Sequence, residues 1–182
     1  MGFWSGLKAM FRRRKAPCKV LVVGLDNSGK TTILSQIRSK DEDVAVVPTV
    51  GYNIEEFCSG GMQFSCYDMS GHSRYRDLWP RFCSEAQAVV FVLDAADQLR
   101  LGVAQVELEE ILKDEHLTRR RVPLLVFANK MDLPNACSPV EITHQMKLDQ
   151  VVDRPWTIFP SVATTGEGLE DGIKWLILRL NR

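Results

Sequence analysis

No run of apolar residues in this 182-residue chain approaches the ~20 needed to cross a bilayer, so the sequence excludes a spanning helix. An excess of one charge sign is missing too. Lys+Arg and Asp+Glu number 23 each, so no global field draws the molecule toward nucleic acid, and no nucleic-acid partner is expected. Histidine is scarce: His72, His116 and His144 stand far apart, without an i, i+4 partner or cysteine at ligand spacing, which argues against a histidine-built metal centre. His116 and His144 read as solvated helix-end residues. The five cysteines (Cys18, Cys58, Cys66, Cys83, Cys137) form no C-x-x-C pair and are odd in number, so they read as reduced thiols filling small apolar spaces in a cytoplasmic protein. The charges near the amino terminus follow the apolar residues instead of preceding them, which does not suit a signal peptide. The ending "LRLNR" carries no prenylatable cysteine, so membrane attachment is expected from the amino-terminal side.

What is present is a core-sized apolar content, 45%, arranged as alternating strand-like and amphipathic runs after Pro17. "KVLVVG" (19–24) reads as a buried parallel strand that feeds a loop and helix. "GYNIEEF" and "MQFSCYD" flank "CSGG" and read as a hairpin, so one part of the sheet is expected to be antiparallel. "AVVFVLD" (88–94), "VPLLVFANK" (122–130) and "WTIFPSV" (156–162) supply three more strands, each followed by a helical stretch. "SPVE" (138–141) is a capping box with proline at the first helical position, and "GLEDGIKWLILRL" closes the chain at helical spacing. The expectation is an α/β domain over 17–182, a six-stranded, mostly parallel sheet with about five helices, preceded by a separate segment, 1–16.

"GLDNSGKT" (24–31) fits G-x-x-x-x-G-K-[ST] in the required context, after a strand and before a helix. Gly24 and Gly29 permit a tight loop whose backbone N–H groups cradle phosphate oxygens. The candidate phosphate contacts are Asp26, Asn27, Ser28, Gly29, Lys30, Thr31 and Thr32. Lys30 is expected on the β- and γ-phosphates, and the Thr31 hydroxyl on Mg²⁺. "NKMD" (129–132) ends a strong strand at the sheet edge where such folds bind ligands. Asp132 can accept hydrogen bonds from both guanine N1–H and the 2-amino group, a pair that adenine lacks. Asn129 and the stem of Lys130 are expected to hold the base and brace the loop. GTP or GDP is therefore the expected nucleotide, and a P-loop kinase or ATPase would leave "NKMD" without a role.

At these motifs the sequence resembles the Ras-like small GTPases, and within them the Arf and Arf-like group. "GLDNSGKTT", "PTVGYNIEEF", "DMSG", "RYRDLW", "FANKMDL" and "TTGEGLEDGIKWL" carry the resemblance over essentially the whole chain. It implies a P-loop NTPase fold of the small G-domain type. Thr49 would contact Mg²⁺ and γ-phosphate in the active state, Asp68 would hold Mg²⁺ through water, and Gly71 would give its N–H to the γ-phosphate. "SVATTG" (161–166) would be the guanine loop, with Ala163 N–H on the guanine oxygen and Thr164 beside it. The spelling "YDMSG" with "RYRDLW" resembles the ciliary, Bardet-Biedl-linked branch that recruits the BBSome coat, with another Arf-like trafficking GTPase as the alternative.

His72 departs from the family pattern, which has a water-orienting glutamine there. An imidazole does not offer a donor and an acceptor from one amide group, so slow intrinsic hydrolysis is expected, or a module that holds GTP and scarcely cleaves it. The catalytic candidates are Lys30, Gly71 and His72. "VVP" stands before Thr49 where an intramolecular arginine finger would be, so an accelerating arginine is expected from an activating protein.

The resemblance also implies effector contacts through the aromatics Tyr52, Tyr67 and Phe82; partial core packing is the alternative. Arg74, Arg76 and Trp79 offer hot-spot residue types, or else cap a helix. Asp94, Asp97 and Arg100 read as a structural network. In "MGFWSGLKAMFRRRK", Phe3, Trp4, Leu7, Met10 and Phe11 share a helical face beside Lys8 and Arg12 to Lys15, the composition of an interfacial helix on an anionic membrane. Packing on the domain is the alternative, and the resemblance implies that it docks there with GDP bound and is expelled when GTP shifts the hairpin (52–67). Gly2 is a myristoylation candidate, although Gly6 replaces the usual Ser or Thr and Phe3 is bulky. The expected partners are a GTP-dependent effector or coat, an exchange factor, an activating protein and a membrane surface, for a monomer peripherally bound at the cilium or basal body.

Overall fold

A computed structural model describes residues 16–38 and 47–181, and the sequence expectations for the amino-terminal helix and Gly2 lie outside them. Six strands form one sheet: β1 (Cys18–Val23), β2 (Tyr52–Ser59), β3 (Met62–Met69), β4 (Ala88–Asp94), β5 (Leu124–Asn129) and β6 (Trp156–Pro160), in the order β2-β3-β1-β4-β5-β6. All neighbours are parallel except β2 and β3, whose register pairs Ser59 with Met62. The two residues between them, Gly60 (φ 55°) and Gly61 (φ 76°), are both left-handed, as a two-residue hairpin turn demands. "CSGG" thus produces the antiparallel hairpin that its composition predicts.

The residue period of two in the central strands sorts their side chains onto two cores. Leu21 and Val23 of β1 pack with Phe91 of β4 and with Leu101, Ala104 and Leu108 of α3 (Leu101–Leu112) on one face. Val20 and Val22 pack with Ile33 and Leu34 of α1 (Lys30–Arg38), Phe127 of β5 and Leu176 of α6 (Leu169–Leu180) on the other. Because both faces of β4 and β5 are covered, these strands read as unbroken apolar runs.

The described residues hold six α-helices where about five were expected. Two of the six are short: α2 (Pro80–Cys83), which starts on proline, and α4 (Glu115–Arg119), whose Asp114 accepts from the N–H groups of His116 and Leu117. α5 (Pro139–Gln145) begins with the full Ser138/Glu141 capping box. Among the described residues no helix is long and apolar enough to cross a membrane. Four cysteines are buried as expected, but Cys58 is exposed, because it points outward from the edge strand β2.

Candidate functional site

The loop between β1 and α1 is shaped by two glycines that no other residue replaces without strain. Gly24 has φ 141°, and a Cβ there would lie 2.0 Å from the Val92 carbonyl oxygen. Gly29 has φ 96°, and a Cβ there would lie 2.3 Å from Asn129 Nδ2. Lys30 is buried at the start of α1, and its Nζ donates to the carbonyls of Gly24 (3.0 Å) and Leu25 (2.7 Å). Burial pulls its pKa down to about 8, with the charge of Asp68 opposing the shift. The ammonium faces a cavity of about 570 Å³, also lined by Asp26, Asn27, Gly29, Thr31, Thr32, Thr49, Gly71 and His72.

Three residues far apart in sequence meet at its floor. Thr31 Oγ1 donates to Asp68 Oδ2 at 2.6 Å and lies 3.0 Å from Thr49 Oγ1, which is 3.4 Å from the same carboxylate oxygen. Burial pushes the Asp68 carboxyl up, opposed by the Thr31 hydroxyl and the Lys30 charge. Its Oδ1 is buried and unpartnered. An orphaned carboxylate oxygen beside two hydroxyls is an oxygen-only donor set, which suits a hard cation such as Mg²⁺ that completes its shell with phosphate and water.

Gly71 follows β3 and presses its backbone on the P-loop: a Cβ there would lie 2.2 Å from Asp26 N and Leu25 C. His72 is exposed at the cavity rim, where its Nδ1 accepts from Arg74 N at 3.5 Å and so caps the 3₁₀ turn Ser73–Leu78. With Nδ1 in that role a neutral ring carries its proton on Nε2 and presents only a donor.

On the base side, Asn129 at the end of β5 ties two loops together. Its Nδ2 donates to Ser28 O (2.8 Å), and its Oδ1 accepts from Ala163 N (3.0 Å) and Ser161 Oγ (3.4 Å). Ala163 N–H, expected on a guanine oxygen, is therefore held by Asn129. Lys130 (φ 66°) sends Nζ to Asp94 Oδ2 at 2.7 Å, which lays its stem along the site's edge. Asp132 and Thr164 are exposed beside it.

The aromatic trio assembles as one cluster, with the ring of Phe82 4.7 Å from Tyr52 and 4.8 Å from Tyr67. Tyr52 is 45% exposed, next to the exposed Ile54 and Val50, whereas Tyr67 is buried and its hydroxyl donates to Glu85. The hot-spot candidates divide. Arg74 is exposed and sits over the Tyr75 ring, but Trp79 is only 2% exposed and Arg76 is committed internally, to Gly71 O and Glu107. In this arrangement neither Trp79 nor Arg76 is available as a surface anchor; the 3₁₀ turn rolls both inward. Of the expected Asp94, Asp97 and Arg100 network, Asp97 and Arg100 pair and Arg100 NH1 reaches Asp26 Oδ1 at 3.2 Å, whereas the Asp94 carboxylate turns to Lys130 and to Ala96 N–H. His116 and His144 are solvent-exposed at helix ends. The sequence reading places Ser161 in the guanine loop without giving it a role, and it misses Glu107, which carries no local signal because its partner lies 31 residues away.

The chain is similar over nearly its whole length to known small GTPases. The ADP-ribosylation factor family profile matches residues 3–180. ADP-ribosylation factor-like protein 6 of Danio rerio is 44% identical over 177 residues, 97% of this chain and 95% of that one. ADP-ribosylation factor-like protein 3 of Chlamydomonas reinhardtii is 37% identical, with 97% and 98% covered. The solved structure of the Arl6 BBS3 small GTPase from Trypanosoma brucei, with bound nucleotide analogue GppNp, is similar at a TM-score of 0.86 and 38% identity, covering 92% of this chain and 99% of that one. This chain belongs to the ADP-ribosylation factor family of small GTPases, whose cofactors are GTP or GDP and Mg²⁺.

Proposed function

We propose that this protein is a slow GTP-dependent switch that recruits the BBSome coat to a ciliary membrane. The observation that carries the switch reading is the convergence of Thr31, Thr49 and Asp68 on one point, with Gly71 seated on the P-loop. Residues from the loop before β2 and the end of β3 meet there, so a ligand that binds between them biases both segments. Thr31 and Thr49 would hold Mg²⁺ directly and Asp68 through water, and an ion held there would neutralise charge on the phosphate oxygens. The likeness to factor-like protein 6 supports the coat assignment.

In hydrolysis, water attacks the γ-phosphorus as the bond to the β–γ bridging oxygen breaks, leaving GDP and inorganic phosphate. Lys30 and the loop N–H groups stabilise charge that develops on the phosphate oxygens, and Gly71 N–H contacts the γ-phosphate. Asp132 reads the guanine edge, while Asn129 keeps Ser28 and the Ala163 loop in register. His72 presents a single N–H donor at the rim and orients water poorly, so the GTP state is long-lived until an activating protein supplies an arginine. That same observation favours the second reading, a module that scarcely cleaves GTP.

The effector surface is Tyr52 and Phe82 with Arg74, backed by the buried Tyr67 ring and flanked by exposed Val50 and Ile54. The amino-terminal amphipathic segment, with Lys8 and Arg12 to Lys15, contacts anionic lipid, and Gly2 is its acylation site; two weak anchors together suffice where one does not. The test is a parallel pull-down from ciliated-cell extract with protein loaded with a GTP analogue or with GDP. BBSome subunits should be retained only by the analogue-loaded form. Retention of a different coat would move the assignment to another Arf-like trafficking GTPase, and identical captures from both forms would refute a switch.

A further inference from the structure

Arg76 and Trp79, which the sequence offers as surface anchors or helix caps, both turn inward, each onto one of the two peptide groups that flank Gly71. Trp79 Nε1 donates to Ser70 O at 3.1 Å, and Arg76 Nε donates to Gly71 O at 2.8 Å. A carbonyl and the following N–H belong to one rigid plane. Holding Ser70 C=O therefore fixes the direction of Gly71 N–H, and holding Gly71 C=O fixes the direction of His72 N–H. Ser70 N is tied as well, to Gly51 O at 2.9 Å.

Arg76 is itself held from outside the loop. Its NH1 pairs with Glu107 at 2.7 Å, from the middle of α3, a helix whose Ala104, Leu108 and Ile111 are packed in the core. Its NH2 lies 3.8 Å from Asp26 Oδ1 on the P-loop. The Arg76 side chain is 15% exposed and that of Glu107 22%, so this pair is screened less than a surface ion pair. Trp79 is buried, and its indole is fixed by packing.

We propose that Arg76 and Trp79 are positioning residues that hold the two peptide planes flanking Gly71, with Glu107 as the anchor of Arg76, and so set the preference for GTP over GDP. This rests on the switch reading above, in which Gly71 N–H meets the γ-phosphate, a group that GDP lacks. A loop freed from these contacts must be ordered at the moment of GTP binding, which costs affinity for GTP alone.

The test uses the full chain with three variants, Glu107→Ala, Arg76→Lys and Trp79→Phe, each titrated with a non-hydrolysable GTP analogue and with GDP by displacement of a fluorescent guanine nucleotide. Each variant should lose about tenfold or more in affinity for the analogue, the worth of one charge-assisted or buried hydrogen bond. GDP affinity should change by less than about twofold, because GDP makes no contact with Gly71. The Arg76→Lys/Glu107→Ala double variant should lose no more than the worse single variant, since Glu107 acts through Arg76. Glu107→Ala alters a helix surface and keeps the test open should Trp79→Phe fold poorly. Equal losses for both nucleotides, or unchanged analogue affinity with effector capture abolished, would overturn the proposal and return Arg76 and Trp79 to structural or anchor roles. A wild-type protein that binds neither nucleotide would overturn the switch reading itself, whereas wild-type binding of both with unselective variants would overturn only this inference.

Discussion

Truncating Asn129 to alanine removes a side chain that joins the phosphate loop to the guanine loop. Asn129 is 1% exposed and satisfies Ser28 O at 2.8 Å and Ala163 N at 3.0 Å, both in buried residues. In Asn129→Ala both backbone groups lose their partner, and each unsatisfied buried group costs ~1–3 kcal/mol, so the expected destabilisation is about 2–6 kcal/mol. For a chain of this size that lowers the melting midpoint by roughly 4–24 °C. Asn129→Asp keeps an acceptor for Ala163 N but has no donor for Ser28 O, so its damage concentrates on the P-loop. The assays are thermal unfolding by circular dichroism and equilibrium binding of GDP and a GTP analogue. Both nucleotides should weaken together, because the P-loop and guanine loop serve both. An unshifted midpoint with unchanged affinities would refute the bracing role.

Gly24→Ala should destabilise by at least about 2 kcal/mol in denaturant unfolding, since φ 141° and a Cβ 2.0 Å from Val92 O leave no unstrained solution; wild-type stability would contradict this. Among the cysteines, Cys58 should alkylate first at pH 8, because it is exposed while burial pushes Cys18 up to about 11 and Cys83 to about 12. Peptide mapping that finds Cys18 or Cys83 modified as fast would refute that order. The Arg154 guanidinium holds the Asp153 carboxyl below its ordinary range. Its stabilisation is therefore present above pH ~4 and lost as pH falls through the folded-state value. Asp153→Asn should cost about 1–2 kcal/mol at pH 7, discounted because Asp153 is partly exposed, and the difference from wild type should shrink toward pH 2. A pH-independent difference would count against the ion pair.

Local motifs carried most of the fold and the phosphate site into legibility. "CSGG" sets the hairpin through two left-handed glycines, and "GLDNSGKT" fixes its own loop because the strand before and the helix after are equally plain. The Thr31, Thr49 and Asp68 meeting point was readable only through the family resemblance, since nothing local in "PTVG" points to a hydroxyl 18 residues earlier. The sequence leaves Arg76 and Trp79 open as surface anchors or helix caps because residue type does not tell which way a 3₁₀ turn rolls. Their partners, Gly71 and Ser70, are near in sequence, but Glu107 sits on a helix defined by other contacts. Pro80–Cys83 has too few residues to show a period, so the capping alternative for Trp79, which stands at its N-cap position, is its one sequence signal.

The central claim, a guanine-nucleotide switch kept slow by His72, is tested most directly by single-turnover GTP hydrolysis of wild type and His72→Gln side by side, with and without cell extract. Wild type should release phosphate slowly alone and faster with extract, and His72→Gln should be faster than wild type without extract. No phosphate release from wild type under either condition would contradict the switch, and an unchanged or lower rate for His72→Gln would show that histidine is a competent substitute.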